Sequence, residues 1–269
     1  MNLLIFVTLL AACVLLLWVT QSLALLAVGE PLAWPLRTTS TNRWVKLTRR
    51  AFVQVMWGTL LIGFPLAIGL DPRSYFSPMF PAPDWPGLAR GYLLCVSVMA
   101  LCYAVEIFFG WVRWQRQFCP QTCRNKMLRR LLLSCPLALM EEAVFRGLLL
   151  EQLARAMPFG IGGDAAAIVI SSMLFSLSHF VRPDDQRPFW QPAAGLFLVG
   201  AVCGTTYVVG GHTLWIPVTI HAAGILVAET ARIFTKKKGP KLLVGYQAYP
   251  HCGLLGATIL VGLAVAMGV

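Results

Sequence analysis

In a chain of 269 residues, 58% are hydrophobic and only 12% are charged. An ordinary soluble domain carries about 25% charged residues, so this composition excludes a soluble globule and points to a polytopic membrane protein. The formal charge of +11 does not describe a nucleic-acid surface, because most basic residues stand in three short clusters: Arg37 to Arg50, Arg113 to Arg130, and Arg232 to Lys241.

Long apolar runs read as spanning helices. In chain order they cover 3–28, 51–70, 91–112, 131–156, 165–180, 192–211, 213–231 and 250–268. The expected fold is therefore an all-α transmembrane bundle of about eight spans, read as one membrane domain over 1–269. Its parts are N-terminal helices and basic loops (1–130), a core of helices (131–231), and a basic loop with a last helix (232–269). The first run lacks a basic start and a small-residue cleavage site, so it reads as an anchor rather than a signal peptide.

The three basic clusters fall in alternate loops. Basic loops stay in the cytosol, which places both termini outside and makes 71–90 an external loop. That loop is rich in turn formers, including Asp71-Pro72, Ser77-Pro78 and Trp85-Pro86-Gly87. The expected setting is the lipid bilayer of a bacterial inner membrane, with no nucleic-acid partner. Most of the eight cysteines lie in apolar runs and read as small hydrophobes. Cys119 and Cys123 have zinc-ligand spacing, but no second pair accompanies them, so no metal site is expected there.

The fourth run contains Glu141-Glu142-Ala-Val-Phe-Arg146. Each ionisable group at membrane depth costs about 2.5–3.5 kcal/mol on insertion scales. Three within one short stretch read as a functional site rather than as packing glue. On an α-helix, residues four apart share a face, so Glu142 and Arg146 can pair while Glu141 points elsewhere. Glu142–Arg146 is thus the candidate structural ion pair, and Glu141 the candidate reactive carboxylate.

His179 ends the fifth run, one turn after Phe175. His221 lies in the seventh. With alternating helix directions, Glu141, His179 and His221 are all expected in the cytosolic half of the bilayer. His212 and His251 sit at span ends and read as solvated or interfacial. Gly200, Gly204 and Tyr207 mark the sixth run, where small residues let helices approach closely. Glu106 has no evident role.

Taken together, these segments resemble the CAAX-protease and bacteriocin-processing family of intramembrane endopeptidases. Its E-E-x-x-x-R signature matches Glu141-Glu142-Ala-Val-Phe-Arg146. Its F-x-x-x-H matches Phe175-Ser-Leu-Ser-His179. Of its H-x-x-x-N motif only His221 is present, with Ile225 where the family often has Asn. The resemblance covers about residues 130–230. It implies a glutamic endopeptidase without cofactor. Glu141 acts as general base, His179 shares the water, His221 donates to the oxyanion, and Glu142 with Arg146 holds the helix. A zinc ion on Glu141, His179 and His221 is the alternative. The implied partner is a peptide or protein substrate at the membrane, such as a lipidated tail or a leader peptide. The rival readings are a catalytically silent immunity or scaffold protein, and a proton-coupled transporter.

Overall fold

The computed structural model describes residues 3–29, 42–115, 120–157, 160–180, 190–246 and 250–266. Cys119 and part of the first basic cluster lie outside the described residues. Helix dominates, as the apolar runs require, since a backbone in lipid must satisfy its own hydrogen bonds. α1 (Leu3–Ala27) is followed by α2 (Arg43–Gly58), a π turn (Thr59–Gly63) and α3 (Phe64–Ala67). Short α4 (Pro72–Phe76) precedes α5 (Trp85–Phe108) and strand β1 (Val112–Trp114). Then come α6 (Pro120–Glu142), a π-helix (Ala143–Leu150), α7 (Glu151–Ala156), α8 (Ile161–Phe180), α9 (Trp190–Val209) and α10 (Trp215–Phe234). Strand β2 (Thr235–Lys237), α11 (Lys241–Val244) and α12 (Leu254–Ala266) complete the described chain.

Helix thus covers all eight expected runs at least in part. Among the described residues, five helical stretches are long and apolar enough to cross a membrane: Leu4–Ala27, Arg43–Ala67, Trp85–Phe108, Trp190–Val209 and Trp215–Phe234. Leu254–Ala266 is apolar but shorter. The α6–α7 rod and α8, which carry Glu141 and His179, are not among the five. Their polar residues divide: Arg124, Lys126, Arg129 and Arg130 at the start of α6 are exposed, whereas Glu142, Arg146, Ser171 and Ser172 are buried against protein.

α10 is the central rod and packs on α5, α6 and α9, while α8 packs on α9. Gly200 permits the α8–α9 contact. A Cβ there would lie 2.9 Å from the Cα of Ser172, closer than atoms pack. A ribbon too short to signal itself in the sequence pairs β1 with β2 antiparallel, with Arg113 opposite Lys236. It brings the second and third basic clusters to the same end of the bundle. Behind it, Glu106 receives an explanation: its Oε1 takes a 3.1 Å ion pair from Lys237 Nζ, and both side chains are buried. Burial is the largest influence on Lys237 and pulls its ammonium below the usual lysine range, against the attraction of Glu106.

Candidate active site

α6 gives way to a π-helix directly after Glu142. The wider π turn alters which side chains share a face, and such segments recur at functional sites. At this junction, Glu142 and Arg146 make the expected pair, with Arg146 Nη1 donating to Glu142 Oε1 at 3.0 Å. Both are fully buried, at 0% and 1% exposure, so each charge depends on its partners. Arg146 has two more: Nη2 donates to the Gly200 carbonyl at 2.8 Å, and its guanidinium lies 4.9 Å above the Phe175 ring. Gly200 therefore contributes both close packing and a charge-assisted hydrogen bond.

Glu142 does more than hold Arg146. Its Oε1 is also 2.6 Å from Nδ1 of His221 on α10, 79 positions away in sequence. A buried carboxylate accepts, so Nδ1 carries the proton, and Nε2 becomes the other working nitrogen. That Nε2 lies 3.6 Å from Glu141 Oε2. The distance exceeds a hydrogen bond and suits two groups that flank a third atom. Glu141 retains some exposure, at 14% of its side chain.

Phe175 links the remaining members. Its ring centroid is 4.7 Å from His179 and 5.7 Å from His221, and it meets Phe145 edge-on at 5.1 Å. Nδ1 of His179 lies 2.9 Å from the Phe175 carbonyl oxygen. A carbonyl only accepts, so Nδ1–H donates there, and in a neutral ring Nε2 bears the lone pair. Ile225 is half-buried and packs against the apolar core. Among the described residues, no three His, Cys, Asp or Glu side chains come together as a metal cage.

One histidine departs from its sequence reading. His251, expected to be solvated or interfacial, is half-buried, with a buried Nε2, and lies within electrostatic range of His179, His221 and Lys237. The turn that carries it, Pro250–Cys252, is drawn onto the start of α9: Gln191 Nε2 donates to the Cys252 carbonyl at 3.1 Å. A lone imidazole beside an apolar run gives no local signal of such a contact.

Residues 124–226 match the family model described as type II CAAX prenyl endopeptidase Rce1-like. No curated protein and no solved structure matches the chain. The match runs from α6 through most of α10 and contains Glu141, Glu142, Arg146, His179 and His221. The helices that carry the buried acid, arginine and histidine cluster thus lie within the segment that matches the Rce1-like type II CAAX prenyl endopeptidase model.

Proposed function

We propose that this integral membrane protein hydrolyses a peptide bond in a membrane-associated, lipidated substrate, with Glu141 and His221 flanking the reacting atoms. One observation carries the reading: Glu142, His221 and Glu141 stand in line, at 2.6 Å and then 3.6 Å. Glu141 removes a proton from water as its oxygen attacks the carbonyl carbon. His179 accepts a hydrogen bond from that water at Nε2. His221, with Nδ1–H tied to Glu142, carries a second proton at Nε2 and donates it toward the developing oxyanion. When the C–N bond breaks, Glu141 returns its proton to the departing amine. Arg146 balances the charge of Glu142 and keeps the line fixed.

We favour chemistry without a metal. The Glu142–His221 bond would orient a metal ligand equally well, because such ligands commonly donate their second nitrogen to a carboxylate. The alternative keeps zinc on Glu141, His179 and His221, and the response of cleavage to a chelator separates the two. The setting we infer is a bacterial inner membrane with the basic ribbon end in the cytosol.

The test uses the purified full chain in liposomes with a prenylated peptide ending in a C-a-a-X tail. Release of the last residues, unaffected by a strong chelator, is expected. Cleavage that stops with chelator and returns with zinc overturns the metal-free form. No cleavage of prenylated, leader or other membrane-anchored peptides overturns the peptidase reading.

A further inference from the structure

A second polar cluster closes the other end of the π-helix. Glu151 follows Leu150 directly and is buried. Its Oε1 accepts from Arg155 Nε at 2.9 Å. Its Oε2 accepts from the Tyr207 hydroxyl at 3.0 Å and lies 2.8 Å from Nδ1 of His212. Within the π-helix, the Gly147 carbonyl accepts from the Tyr75 hydroxyl at 2.9 Å, and Gln152 Nε2 donates to the same hydroxyl at 3.0 Å. Burial pushes the Tyr75 phenol up to about 12, so it remains a donor at ordinary pH. None of these groups takes part in the chemistry described above.

His212 holds its position against backbone preference. With φ at 61°, it is the one non-glycine residue in the left-handed region among the described residues. Glycine would adopt that conformation without steric cost, and the turn already uses Gly211 at φ 72°. The imidazole therefore occupies a place where the turn itself favours glycine. What it gains is the contact with Glu151. An outlier of this kind is held by its surroundings and tends to mark function.

An eight-residue π-helix is an unusual length for a rare conformation. Relaxation to α geometry would rotate one end relative to the other. Glu142, with Arg146 and His221, fixes the first end. Glu151, with Tyr207 and His212, fixes the last. We propose that the Glu151–His212 contact is a latch that sets the rotation of the π-helix and thereby positions Arg146, Glu142 and Glu141. His212 and Glu151 are positioning residues in this arrangement, and the proposal rests on the peptidase reading of Glu141 and Glu142.

The test compares His212→Gly and His212→Asn in the full chain, reconstituted in liposomes, by cleavage kinetics, thermal melting and amide hydrogen exchange. Glycine relieves the backbone and removes the latch. Asparagine tolerates the left-handed region and offers an amide N–H to Glu151. His212→Gly is expected to melt no lower than the parent. Its kcat is expected to fall about tenfold to a hundredfold, the scale of misplacing a reacting group by about 1 Å. KM is expected to hold, exchange over 143–150 to rise, and His212→Asn to recover most of both changes. Unchanged exchange over 143–150 in His212→Gly overturns the latch, as does unchanged kcat where the parent cleaves. If the parent cleaves no peptide, the peptidase reading fails and exchange alone decides the latch.

Discussion

His221 Nδ1 lies 2.6 Å from Glu142 Oε1, so the second glutamate of the pair orients an imidazole as well as balancing Arg146. The contact turns two adjacent carboxylates into groups with different work. Glu142 is buried and engaged through Oε1 by both Arg146 and His221, while Glu141 keeps some exposure and faces Nε2 of the same ring.

Glu142→Gln is expected to do more harm than the loss of one ion pair. Removing one member of a buried pair costs about 3–5 kcal/mol, because the remaining charge is stranded. Arg146→Met should destabilise on the same scale. Glu142→Gln with Arg146→Met should recover part of the stability and none of the cleavage, since His221 remains without its carboxylate. Melting in detergent and cleavage rate, measured on all three variants, separate the two effects.

Gly200→Ala is expected to destabilise by about 1–3 kcal/mol through overpacking. The added Cβ meets the Ser172 backbone, which cannot swing aside. The shift also draws the Gly200 carbonyl away from Arg146 Nη2. Cleavage should therefore fall more than it does for Gly224→Ala, where the nearest obstacle is the flexible Met99 side chain at 3.7 Å.

These features were unequally visible in the sequence. The Glu142–Arg146 pair was legible because four-residue spacing is local geometry, and the tight packing at Gly200 followed from its small-residue pattern. The π register after Glu142 was not legible, because apolar Ala143, Val144 and Leu148 to Leu150 suit an α-helix equally well. The His221–Glu142 bond and the buried Nε2 of His251 depend on segments distant in sequence meeting in space. Glu106 and Lys237 lie in different apolar and basic runs, and the packing of α10 on α5 together with the β1–β2 ribbon brings them together.

Lys237→Met is expected to cost about 3–5 kcal/mol by leaving Glu106 buried without its cation. Adding Glu106→Gln should restore much of that loss. A melting series across the two single variants and the double variant measures the coupling. Additive losses contradict a buried pair.

The α4 cap gives a pH signature in the 71–80 loop. The Asp71 side chain accepts from the Ser74 amide at 2.9 Å, and that bond holds its carboxyl below the usual carboxylate range. A depressed folded value means that the stabilisation is complete above the ordinary carboxylate range. It is lost as pH falls through the folded value. Protection of the Ser74 amide, its exchange taken relative to the intrinsic rate at the same pH, should fall as the sample is acidified below about pH 4, the reference carboxylate value. In Asp71→Asn, whose side-chain oxygen still caps, the acid dependence should vanish.

The most direct measurement is cleavage of a prenylated C-a-a-X peptide by the purified full chain and by Glu141→Gln, both in liposomes. Loss of a general base and its charge should lower kcat by at least about 100-fold, with unchanged melting. A Glu141→Gln variant that folds normally and cleaves at the parent rate would contradict the assignment of Glu141 and, with it, the proposed chemistry.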